Sequence, residues 1–170
     1  MTSNIYDSSA PVFVAMLRNM RAWLDKAEAE KDPAVLAEAR LIEDMRPLTA
    51  QYQMASDSAK NAMARLMGIE PPSMPDNETS LAELKERCDK TIAFIESVDP
   101  ATLDGSESRE VVMKFPNGMG YRWNGVDYLR NFALPNFYFH ATTAYAILRA
   151  QGVSLGKPDY LQHLGMPEQM

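Results

Sequence analysis

The sequence predicts an all-α fold: a four-helix bundle with a small two-stranded β-hairpin before the last helix. Three observations predict it. Apolar residues recur at spacings of three and four over four long stretches, the period of a helix with one buried face. Start and stop signals bracket those stretches. One interval, 109–124, abandons the helical period around an Asn-Gly pair. At 170 residues the chain is the size of one domain. It is read as a single bundle over 1–170 with an irregular tail from about 153.

In the first stretch, Ser8 or Ser9 can cap and Pro11 fits the first turn, where its missing N–H costs nothing. Phe13, Met16, Leu17, Met20, Leu24 and Ala27 form the apolar stripe of a helix from about Ser9 to Glu30. Asp32-Pro33 reads as a cap and an N1 proline for a short helical piece over 34–41. The second long helix begins near Asp44 or Pro47. Its inward face is rich in alanine (Leu48, Tyr52, Ala55, Ala59, Ala62, Leu66), which permits close approach of a neighbour. Gly68 and Pro71-Pro72 end it. Ser80 with Glu83 forms a capping box for a third helix reaching about Val98, with Leu81, Leu84, Cys88, Ile92 and Ile95 inward. Around Pro116-Asn117-Gly118, REVVMKF and MGYRWNG read as a tight hairpin too short to stand alone. Its Tyr121 and Trp123 share an aromatic face suited to covering the bundle end or a partner. The fourth long helix runs from about Val126 to Gln151, stops at Gly152, and is kinked by the internal Pro135.

Composition limits the function. The chain is 46% hydrophobic and 24% charged, with 17 basic and 23 acidic residues, a net charge of −6 and a pI near 4.9. That surface repels phosphate backbones, so nucleic acid is not an expected partner. No apolar run is long enough to span a bilayer, so no membrane role is expected. The N-terminus has no basic region before its apolar stretch and is a poor signal peptide. The single cysteine, Cys88, cannot form an internal disulfide and suits a reducing cytoplasm. On an apolar helix face it reads as a buried, inert thiol. Gly118 and Gly120 are not followed by a phosphate-loop lysine.

The candidate site centres on NFYFHATTAYAILR, where His140 interrupts an aromatic helical run. At 100° per residue His140 falls on the stripe of Leu129, Ala133, Phe137, Ala144, Ile147 and Leu148, with Asn136 one turn earlier and beside it. His140 is read as a metal ligand, a catalytic base or a core residue with one hydrogen bond. Asparagine is a poor ligand for a transition metal, and no His-x-x-x-His pair is present. On the second long helix Gln51 flanks the inward face and Tyr52 lies on it, while Asp57 falls roughly opposite. His163, the other histidine, lies in the tail.

The segments PVFVAMLRNM, ASDSAKNAMARLMGIEPP, SVDPATLDG and DYLRNFALPNFYFHATTAYAILRAQGVSLGKPDYL together resemble a domain-of-unknown-function family within the DinB-like superfamily. The resemblance covers nearly the whole chain and is most specific at LPNFYFHATTAYAILR. It implies a DinB-like four-helix bundle and a homodimer. In the wider superfamily it also implies a divalent metal, such as zinc or nickel, held by three histidines and used to activate a small thiol for transfer. His140 matches the second histidine of that family's final pair. Asn136 stands where the first would be, and Gln51 or Gln53 is nearest to the third. Two of three ligands are therefore missing.

The reading that follows is a protein that binds a small molecule between the second and fourth long helices, through Gln51, Tyr52, Asn136, Tyr138 and His140, with no metal and no other cofactor. The alternatives are a metal-dependent thiol (S-)transferase-type enzyme whose degenerate metal site uses His140, and a structural or regulatory dimer without ligand.

Overall fold

The structure is a computed structural model that describes residues 5–170. Residues 1–4, the start of the segment read against a signal peptide, lie outside the described residues. Helix α1 spans Ala10–Glu30, α2 Pro33–Glu38, α3 Leu48–Met67 and α4 Leu81–Glu96. Strands β1 (Glu110–Lys114) and β2 (Gly120–Asn124) form an antiparallel pair. A helical path then runs unbroken through α5 (Gly125–Tyr128), a π-helical turn (Leu129–Ala133) and α6 (Leu134–Ala150). A short α7 (Lys157–Tyr160) lies in the tail.

The four long helices form the bundle, with α3 packed most extensively on α6 and α1 on α4. Phe13, Leu17, Met20 and Leu24 of α1, the alanine face of α3, Leu84, Cys88 and Ile95 of α4, and Phe137, Ala141, Ala144 and Leu148 of α6 are all fully buried. Each such Leu, Met or Phe contributes about 1.5–3 kcal/mol of burial free energy. The small side chains along α3 let α6 approach closely, which sets the separation of the polar groups that face each other across this pair.

Several local expectations are corrected. Ser9 sits at the N-cap of α1, but its hydroxyl donates to the Ile5 carbonyl at 2.6 Å and makes no cap bond to the helix. The short piece ends at Glu38, where Ala39 turns extended. The capping box of Ser80 and Glu83 forms as expected. In the hairpin the turn centres on Pro116 and Asn117: Gly118 N–H donates to Phe115 C=O at 3.0 Å, and only Gly118 takes positive φ, 81°. Asn117 keeps negative φ and accepts from Met119 N–H through its side chain at 3.1 Å. Trp123 packs on Phe132 and Tyr128, with centroids 5.5 and 5.7 Å away, which seats the ribbon on its own helix. Tyr121 stacks on Trp123 and remains 55% exposed.

Pro135 acts through the π turn. Leu134 N–H bonds Leu129 C=O, one residue further back than in an α-helix. The wider turn accommodates a proline ring that would otherwise clash with the carbonyl four residues earlier. The tail is more ordered than expected. Tyr160 stacks on Trp23 at 5.4 Å, Trp23 Nε1 donates to the Asp159 carbonyl at 3.0 Å, and Lys26 pairs with the Asp159 carboxylate at 3.2 Å.

Candidate functional site

The groove between α3 and α6 carries the polar groups read from the sequence. Gln51, on the first turn of α3, is buried. Its Nε2 donates to the Arg46 carbonyl at 3.1 Å, just before the proline that opens the helix. That commits its Oε1 as an acceptor, and His140 Nδ1 lies 2.9 Å away. The pairing therefore assigns the neutral tautomer with the proton on Nδ1. Nε2 is left with its lone pair and with no partner among the described residues. Burial pushes the imidazole pKa below its ordinary value, which favours the neutral ring. One turn earlier, Asn136 Nδ2 donates to Ser58 Oγ at 2.7 Å, and Ser58 Oγ donates to the Met54 carbonyl at 2.6 Å. The groove is a cavity of about 260 Å³, bordered by Met54, Asp57, Ser58, Asn61, Arg65, Met113, Tyr128, Phe132, Asn136 and His140.

The other expected site residues lie elsewhere. Tyr52 is fully buried and donates its hydroxyl to the Met20 carbonyl of α1 at 2.8 Å, on the far side of α3 from His140. Its phenol pKa is raised well above the ordinary value by burial. Tyr138, two residues from both Asn136 and His140, projects away from them and borders a separate cavity of about 220 Å³ with Pro11, Val12, Met16 and His163. Gln53 donates to Glu78 at 3.0 Å. His163 Nδ1 accepts from Asn19 Nδ2 at 2.8 Å, so the tail lies on α1 and does not cover the His140 groove.

Sequence reasoning also missed a charged cluster. Arg87 of α4 is buried and bonds Glu78 at 2.9 Å, Asp57 at 2.9 Å, Asp76 at 2.9 Å and the Pro75 carbonyl at 3.2 Å. Asp57 also pairs with the buried Lys60 at 2.9 Å. Burial pulls the Arg87 pKa down, but the three carboxylates outweigh it and hold it above its ordinary value. Burial pushes the Glu78 carboxyl up, and hydrogen bonds from Gln53 and Arg87 bring it below its ordinary value. The cluster staples the loop over 69–79 to α3 and α4, and it fixes Asp57 at the edge of the groove. A larger cavity of about 560 Å³ lies beside α1, but its charged pair, Arg18 and Glu96, is already joined at 2.5 Å. Burial raises the Cys88 thiol to about 12, so it stays protonated and unreactive.

The donors do not fit a transition ion. Among the described residues no three His, Cys, Asp or Glu side chains form a group that could hold a metal ion. His140 spends Nδ1 on Gln51, and Asn136 presents its amide nitrogen to Ser58. What the groove offers is a directed imidazole acceptor, an ordered amide and apolar walls. No described helix is long and apolar enough to cross a membrane.

Fold and site together define a helical bundle of the DinB-like class. The chain belongs to the family described as Domain of unknown function (DUF1993), whose profile matches residues 5–161. It is similar to a DinB family member protein from Shewanella denitrificans, whose crystal structure at 1.83 Å superposes with a TM-score of 0.88 at 38% identity, over 98% of this chain and 95% of that one. No curated protein matches the chain significantly.

Proposed function

We propose that this DinB-like protein binds a small molecule in the α3–α6 groove through His140, without a three-histidine metal centre. The observation that carries this reading is the orientation of His140. Gln51 fixes the ring in its Nδ1–H form, and the remaining Nε2 lone pair has no partner among the described residues. A half-buried acceptor of this kind is suited to a hydroxyl, amine or thiol hydrogen on a ligand. Asn136 and Ser58 add an ordered polar edge, and Met54, Met113 and Phe132 supply apolar contact. Gln51 acts as a positioning residue, and Tyr52 and Tyr138 lie outside the groove. Titration of the ¹⁵N-labelled protein with a small-fragment library tests this. Binders should shift the amides of Ser58, Asn136 and His140, and His140→Leu should abolish those shifts. Hits that bind equally well to His140→Leu contradict the reading.

A homodimer in a reducing cytoplasm completes the proposal. The apolar tip of the hairpin, with Phe115, Met119 and Tyr121 exposed, supports the dimer, and the lone buried Cys88 supports the compartment. Sedimentation velocity of the wild type against Tyr121→Lys tests the dimer: a monomeric wild type contradicts it.

A further inference from the structure

The far end of the same groove has the opposite chemistry to His140. Tyr128 is 1% exposed, and its hydroxyl oxygen accepts from Arg65 Nη1 at 3.0 Å. Its own proton has no acceptor among the described residues. Burial holds the phenol pKa above its ordinary value, although Arg65 pulls the other way, so this proton stays in place as a donor. Among the described residues Arg65 is the one arginine or lysine that borders the groove. It has no carboxylate partner among the described residues, and Tyr128 occupies one of its five N–H donors. A guanidinium and a phenol proton that converge without an acceptor make a donor pair for an oxyanion. Tyr128 and His140 are twelve residues apart on one helical path, about 18 Å along its axis, and the Ser58–Asn136 level lies between them, about 10 Å from Arg65 along α3. The groove thus has donors at one end, where Phe132 stacks on Tyr128, the His140 acceptor at the other, and the Ser58–Asn136 pair between.

We propose that the Arg65–Tyr128 end is an oxyanion subsite and that the groove takes a small organic monocarboxylate with a hydrogen-bond donor at its other end. The proposal rests on the ligand-binding reading of this groove. A monoanion fits better than a phosphate dianion because a single guanidinium faces it and Asp57 borders the same space. Asp57 is shared between Lys60 and Arg87, so it is not available to quench Arg65.

The test is a ¹H–¹⁵N titration with 6-hydroxyhexanoate and with hexane-1,6-diol, a chain of the same length without the anion. The acid should shift amides around Arg65 and Tyr128 and around Ser58 and Asn136, the span its chain of about 9 Å covers, and bind at least about tenfold more tightly than the diol. Arg65→Gln and Tyr128→Phe should each weaken the acid by about tenfold and leave the diol unchanged, and Arg65→Lys should fall between. The spectra themselves report whether each variant is folded. If the diol binds as tightly as the acid, or the acid is indifferent to both Arg65→Gln and Tyr128→Phe, the oxyanion subsite is wrong while the His140 reading stands. If the acid shifts no groove amide, the subsite is wrong whatever the fragment library shows at His140.

Discussion

Replacing Gln51 with leucine removes the group that orients the imidazole while keeping a side chain of similar volume. Two hydrogen bonds disappear: His140 Nδ1–H to Oε1 at 2.9 Å, and Nε2 to the Arg46 carbonyl at 3.1 Å. A typical intramolecular hydrogen bond contributes about 1 kcal/mol net. His140 is half-buried, so water can reach part of the ring after the change, and the combined cost is about 1–2 kcal/mol. In a chain of this size each kcal/mol moves the melting temperature by about 2–4 °C, so a fall of about 2–8 °C is expected. Urea unfolding should show the same loss at an unchanged m-value. The ring, no longer held in one tautomer, should populate both, and every groove ligand that uses Nε2 should bind more weakly. A Gln51→Leu protein of unaltered stability whose His140 stays wholly in the Nδ1–H form would refute the reasoning.

Tyr52→Phe deletes a fully buried hydroxyl that faces α1, and should cost about 1 kcal/mol in urea unfolding while leaving groove binding unchanged. Arg87→Met leaves Glu78 and Asp57 without their shared cation; breaking a buried pair costs about 3–5 kcal/mol, and since Asp76 is 56% exposed the low end, about 3 kcal/mol, is expected in the same assay. The pH dependence follows from His140, whose folded pKa lies below its ordinary value. The unfolded ring therefore takes up a proton first as pH falls. The stability it contributes is complete above its ordinary pKa, about 6.5, and is lost as pH drops through the lower folded value. Urea titrations of wild type and His140→Gln should diverge along that descent and run parallel above pH 7.

Much of this arrangement is legible in the sequence. The helical period finds α1, α3, α4 and α6, and the Ser80–Glu83 box fixes the start of α4. Asn136 and His140 sit one turn apart on a regular stretch of α6, so they share a face. Gln51 was also accessible, because the first turn of α3 meets the His140 end of α6 in an antiparallel pair. Tyr52 and Tyr138 were misplaced for a simple geometric reason. One residue along a helix turns the side chain by 100° and two by 200°, so the neighbours of Gln51, Asn136 and His140 face other partners. Arg65 and Tyr128 were harder to find. Arg65 is two turns from Ser58 and on the same face, but Tyr128 lies beyond the π turn, where the phase of the stripe shifts by one residue. Arg87 and Lys60 were missed because a charge on an apolar stripe is read as exposed until its partners, here Glu78 and Asp57, are seen in three dimensions.

The tautomer of His140 tests the central claim most directly. A long-range ¹H–¹⁵N spectrum of the imidazole at neutral pH separates protonated from bare ring nitrogens. The account predicts a protonated Nδ1, a bare Nε2 in the free protein, and a change at Nε2 when a groove ligand binds. A ring protonated at Nε2, or one whose nitrogens shift only when zinc or nickel is added, would contradict it.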